Sequence, residues 1–116
     1  MKKVSFEEIG AVVATFLAGD NAKKGQMVNL SAADTVDGCT ADGKFCGLAL
    51  DVTGDGVASV QVSGFAQVPC SDAGVTPGWV ALASDGTGGV KKATSGGREY
   101  LVVNADAEAQ TAMVLL

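Results

Sequence analysis

The sequence predicts an all-β chain, a small antiparallel β-barrel preceded by an N-terminal arm. Three observations predict it. Gly makes up 16 of the 116 residues, about twice the average usage of about 7%, as many tight turns require. Charged residues are 18% and apolar residues 47%, and most of the apolar ones are Ala and Val rather than aromatics. Apolar and polar residues alternate along residues 57–68, the period of a half-buried strand. A chain of this length suits one domain. The expected division is an arm over residues 1–12 and a single barrel domain over residues 13–116.

The elements follow in chain order. Ser5-x-x-Glu8 has the form of a capping box, which starts helices by satisfying free amides. Phe6, Ile9, Val13, Phe16 and Leu17 recur near helical spacing, but Val12-Val13 and Thr15-Phe16 favour a strand. The expectation is a turn or short helix around residues 5–10, then a strand to about residue 18. Gly19-Asp20-Asn21 ends it, and residues 27–30 form a short strand. Residues 34–44 are turn-rich and hold Asp37-Gly38 and Asp42-Gly43, both hairpin signals. Residues 45–52 read as a buried strand and residues 53–56 as a tight turn. Residues 57–68 are the clearest strand, with Ala58, Val60, Val62, Gly64, Ala66 and Val68 on one face. Ser59, Gln61, Ser63 and Gln67 share the other face, where Phe65 is the exception. Further strands are expected at 79–83, 90–94, 99–104 and 110–116. A loop at 69–78, Gly-rich turns at 84–89 and 95–97 and a connection at 105–109 separate them.

The two halves align weakly. Val28-x-Leu30 matches Val80-x-Leu82. With a two-residue gap, Val36 aligns with Val90, Thr40 with Thr94, Gly43 with Gly97, Ala58 with Ala112 and Val60 with Val114. A pseudo-duplicated barrel and chance identity both account for so few matches. Many short antiparallel strands close into a barrel or stack as a sandwich.

Composition excludes several functions. The net charge is −5 and no Lys/Arg run exceeds two, so the basic stripe that neutralises nucleic-acid phosphates is missing. An anionic membrane surface is disfavoured for the same reason. No apolar run reaches the roughly 18 residues of a membrane helix. Lys2-Lys3 begins like a secretion signal, but Glu7 and Glu8 interrupt it, and the expected compartment is cytosolic. The three cysteines, Cys39, Cys46 and Cys70, are an odd number, unlike a disulfide framework. With no His, the usual mixed His/Cys zinc sets are unavailable, three cysteines cannot fill an all-cysteine site, and they are expected as small apolar core residues.

No catalytic constellation emerges. The absence of His removes the Ser-His and Cys-His pairs. Lys91-Lys92 reads as a solvated hairpin. The loop 51–56 resembles an acidic calcium loop, but the twelfth position from Asp51 is Val62 rather than the required Glu. The Gly-rich loop 85–89 runs into a strand instead of the helix that a phosphate loop needs. A lipoyl- or biotinyl-carrier domain would need Met-Lys-Met or Asp-Lys-Ala, and neither occurs. No enzyme activity, cofactor or metal is expected. What remains is surface. Phe65 stands on a polar strand face, Trp79 is the single Trp, and Phe6 and Ile9 sit in the arm. These four are the candidate interface residues.

Several stretches together resemble the small acidic decoration (cement) proteins of tailed bacteriophage capsids. They are Ala14-Thr-Phe-Leu-Ala-Gly-Asp-Asn-Ala-Lys-Lys-Gly-Gln-Met-Val-Asn-Leu, Phe45-Cys-Gly-Leu-Ala-Leu, Ala58-Ser-Val-Gln-Val-Ser-Gly-Phe-Ala-Gln-Val, Gly78-Trp-Val-Ala-Leu and Thr111-Ala-Met-Val-Leu-Leu. The resemblance runs from about residue 14 and is carried by Gly, Val and turns. It implies a β-barrel on the virion exterior, assembled in the host cytoplasm. The implied partner is the major capsid protein, bound as a homotrimer that holds the shell against expansion stress, with no catalysis and no cofactor. No functional residue carries over by motif. The alternative is a soluble ligand-binding β-barrel for a carbohydrate or small molecule, although only six aromatics occur (one Trp, one Tyr, four Phe). A self-assembling tube subunit is a third reading, but it usually requires a longer chain.

Overall fold

The structure, a computed structural model, describes Phe6 and residues 9–116. Among these residues every regular element is a strand. They are β1 (Val12–Ala18), β2 (Met27–Ala32), β3 (Thr35–Gly38), β4 (Gly47–Val52), β5 (Val57–Ser63), β6 (Phe65–Pro69), β7 (Gly78–Ser84), β8 (Val90–Lys92), β9 (Glu99–Asp106) and β10 (Thr111–Leu115). The first five close into a barrel in the order β1-β3-β2-β4-β5, and the rest form an open sheet, β6-β10-β9-β7-β8. The all-β barrel expected from Gly and Val content is present, with a second sheet beside it.

Two expectations are corrected. Residues 57–68 are two strands, because Gly64 takes φ +90° between β5 and β6 and sends each to a different sheet. A Cβ there would sit 2.5 Å from the Gly10 carbonyl group, so only Gly permits the crossing. The turn-rich stretch hides β3, which pairs with β2 through a two-residue connection in which Asp34 takes φ +59°. Asp37-Gly38 closes β3 rather than making a hairpin turn. Of the capping-box residues, Ser5 and Glu8 lie outside the described residues. Ile9 N–H donates to the Phe6 carbonyl at 3.0 Å, making a turn before β1.

The halves are equivalent strand for strand. β6 and β10 pair Ala66 with Val114 and Val68 with Ala112, as β1 and β5 pair Ala14 with Val60 and Phe16 with Ala58. β7 and β9 pair Trp79 with Leu101 and Val80 with Tyr100, as β2 and β4 pair Met27 with Leu48 and Val28 with Gly47. The same bulge recurs. Leu50 is skipped between the Ala49–Val60 and Asp51–Ser59 pairs, and Val103 between Val102–Val114 and Asn104–Met113. Gly56 (φ +85°) and Gln110 (φ +57°) mark the same hairpin position. The register amends one sequence match. Val90 lies opposite Ser84 as Thr35 lies opposite Ala32, so Val36 and Val90 are both buried but not equivalent.

One pair is missing from the second unit. In the first, parallel β1 and β3 close the ring, and Leu17 N–H donates to the Asp34 carbonyl at 2.8 Å. Pro69 stands where Leu17 stands, opposite Thr111 as Leu17 is opposite Val57. Proline has no N–H to give. The chains still approach, since a Cβ on Gly89 would lie 2.7 Å from the Pro69 carbonyl oxygen. The edge amide of Lys92 is instead taken by Asp72 Oδ2 at 3.0 Å.

An open sheet leaves a concave apolar face, and the first unit fills it. Ala66, Val68, Leu82, Val90, Val102 and Val114 form one core with Met27, Phe45 and Leu48. The barrel interior is a separate cluster around Val28, Val36, Ala58 and Val60. Met27, Leu48, Gln61 and Val13 are mutually opposed across β2, β4, β5 and β1, so they form one row on the barrel's outer face. The second unit covers most of that row, burying Met27, Leu48 and Gln61. Burying large apolar side chains contributes about 1.5–3 kcal/mol each. Gln61, expected on a solvated face, satisfies its buried amide by donating Nε2–H to the Ser63 and Phe65 carbonyls at 3.1 and 2.9 Å.

Candidate interaction surface

The equivalent row of the second unit is Trp79, Leu101, Leu115 and Phe65, opposed in turn across β7, β9, β10 and β6. Directly opposed residues share a face, and this face lies opposite the concave core. With strands about 4.8 Å apart, the row runs about 14 Å. Trp79 is 66% exposed, while Leu101, Leu115 and Phe65 are half-buried. The Phe6 ring extends the row, tilted at 52° with its centroid 5.3 Å from that of Phe65. Ile9 is 53% exposed, and its carbonyl accepts the Phe65 N–H at 3.0 Å.

The fold therefore brings Phe6, Phe65 and Trp79 to one face, with Ile9 joined to it through the backbone. Within the expected arm, Phe6 packs on the sheet and Val12 already belongs to β1. Residues 1–5, 7 and 8 lie outside the described residues. Phe65 neither returns to the core through a bulge nor projects freely, since Phe6 covers part of it. Sequence reasoning missed Leu101 and Leu115. Aligning β7 and β9 on β2 and β4 would have paired them with Leu48 and Gln61. The flanking positions on this face are mixed, with Ala81 and Glu99 on one side and Asn104, Met113 and Gln67 on the other. Glu99, Asn104 and Gln67 place polar groups beside the apolar strip, as at the edges of protein interfaces.

The cysteines and the two loops that the sequence offered for chemistry have structural surroundings. Burial pushes the Cys39 thiol up to about 11, an effect that its hydrogen bond with Ser84 only partly offsets. Burial also raises Cys46 and Cys70. Thiols held protonated are poor nucleophiles, and all three pack with the cores. In the loop 85–89, Asp85 Oδ1 accepts from the Thr87 and Gly89 amides at 2.7 and 3.0 Å. Burial of Asp85 opposes its charge, but these amides, the Thr87 hydroxyl and Lys91 outweigh it and lower the pKa. The loop's amides thus already hold an anion of their own. Thr53 N–H donates to the Val57 carbonyl at 2.8 Å, making the acidic loop a hairpin turn.

No family model matches the chain. A comparison with curated proteins likewise finds no match.

Proposed function

We propose that this chain is a non-enzymatic structural protein that docks on the outer surface of a bacteriophage capsid and stabilises the shell. The row Trp79–Leu101–Leu115–Phe65 carries the docking part of this reading. Its counterpart on the first unit is mostly buried under a protein surface, whereas this one presents a 66% exposed Trp. Trp is enriched among the residues that dominate binding energy. The capsid as partner rests on the resemblance of the sequence to decoration proteins, as does a homotrimer on the shell. Location on the virion exterior follows from that partner.

The test mixes purified protein with expanded capsids that lack it. Co-sedimentation at a saturating, symmetric stoichiometry is expected. Trp79→Ala should weaken it by about thirtyfold, the effect of losing a hot spot of about 2 kcal/mol. Protein that stays in the supernatant overturns the capsid reading. Capsid binding that Trp79→Ala leaves unchanged overturns the assignment of the row.

A further inference from the structure

A cleft of about 520 Å³ opens on the side of the second sheet away from the Trp79 row. Loop residues 42–45 of the first unit form one wall and the connection from β8 to β9, which crosses the end of β7, the other. The first wall is pinned to the end of β7. Asp42 N–H donates to the Ser84 carbonyl and Ser84 N–H to the Gly43 carbonyl, both at 2.9 Å. Phe45 and Tyr100 stack below, with centroids 5.2 Å apart and planes 25° apart. The Arg98 guanidinium lies 4.7 Å above the Tyr100 centroid.

The charges around the cleft are unbalanced. Asp42 is the single acid among the lining residues, and Lys91 neutralises it in an ion pair of 2.5 Å. Lys44 and Arg98 also line the cleft and form no ion pair among the described residues. A chain with net charge −5 and eight Lys and Arg thus places two cations without a carboxylate partner among the described residues over a buried aromatic pair, Arg98 already lying on Tyr100. Thr94 and Ser95 add hydroxyls to the rim. The complement is an anionic head on a flat apolar body. The head would take charge-assisted hydrogen bonds from Arg98 and Lys44. The body would extend the stack that Phe45, Tyr100 and the guanidinium begin. The volume falls in the range of about 300–1,000 Å³ usual for small-molecule sites.

We propose that this cleft binds a small aryl carboxylate. The site is independent of the docking row and does not rest on the capsid reading.

The test is an NMR titration of ¹⁵N-labelled protein with 1-naphthoate, run beside the neutral analogue 1-naphthalenemethanol. Saturable shifts are expected at residues 43–45, 82–83 and 94–100. Lys44→Gln leaves the aromatic stack intact and should weaken binding about tenfold, the loss of one charge-assisted contact. Arg98→Ala should weaken it at least as much, Arg98→Lys less, and the alcohol should bind about tenfold more weakly than naphthoate. Trp79→Ala should leave the affinity unchanged. The proposal is overturned by shifts centred on Trp79, Leu101 and Leu115, by no saturation at millimolar probe, or by equal affinity for the alcohol.

Discussion

The two five-stranded units share a strand order and a bulge position, yet they treat equivalent residues in opposite ways. Met27 is fully buried and its counterpart Trp79 is 66% exposed. Gly47 and its counterpart Tyr100 are both buried, one with no side chain and one with a large ring. Leu17 seals a ring where Pro69 leaves a sheet open. The topology belongs to both units, but burial is set by which unit lies on which. The second unit wraps the outer row of the first, whereas the second's own row is covered by Phe6 at Phe65 and leaves Trp79 exposed.

The largest test of that asymmetry is the pair Met27→Ala and Trp79→Ala. Met27→Ala should cost about 2–5 kcal/mol, because it empties a core shared by both units. Trp79→Ala should move folding stability by less than about 1 kcal/mol, as exposed substitutions do. Urea denaturation measures both, and equal costs would refute the difference between the rows. Gly47→Ala comes next. A Cβ there would collide with the Gln61 carbonyl oxygen and approach Val60 Cγ1 to 2.7 Å. Overpacking of this kind should cost about 1–3 kcal/mol, although the equivalent position holds a Tyr.

Pro69→Leu sharpens the comparison at smaller scale. The substitution restores the donor found at Leu17, and one added hydrogen bond is worth about 0.5–1.5 kcal/mol. Losing the stiffness that proline gives the unfolded chain costs about 0.4–1 kcal/mol. Stability should barely change, but hydrogen exchange should find a protected amide at position 69. An amide that exchanges as freely as in a disordered loop would mean that the longer β7–β8 loop, and not proline, keeps the second sheet open.

The smallest effect concerns acid. Amide hydrogen bonds from Lys92 and Gly74 hold Asp72 below its ordinary carboxylate value, against a small contribution from burial. A lowered folded-state pKa adds stability that is present above the unfolded value of about 3.9 and is lost as pH falls through the folded value. Asp72→Asn should therefore flatten the decline in stability below about pH 4. The first unit has a strand, β1, where Asp72 caps the edge of β8. An unchanged acid profile would show that the cap does not contribute.

Much of the fold was legible because turns and alternation are local. Strands β2, β4, β7 and β9 fall close to where periodicity put them. What failed required long-range information. β3 is four residues long and bears the Asp-Gly signal of a turn. The Gly64 break looks like one more small residue in an alternating run, and only the approach of Gly10 gives it meaning. Phe65 and Trp79 could be found because each is out of place locally. Leu101 and Leu115 join them through a register linking residues far apart in sequence. Gln61 misled for the same reason, since its polarity implied water where the other unit lies.

The way one unit covers the other has a further consequence. Contact in which each element rests its outer face in the hollow of the next has a direction, as in solenoid repeat proteins. A directional array leaves a terminal face, and solenoids blunt theirs with a polar capping repeat to stay soluble. The second unit presents Trp79 there instead. Repeating that same contact with more copies of this chain is blocked, because the core of the second sheet's concave face is already packed against its own first unit. The terminal face is thus left for a different surface, and not for fibres built by repeating the contact between the two units.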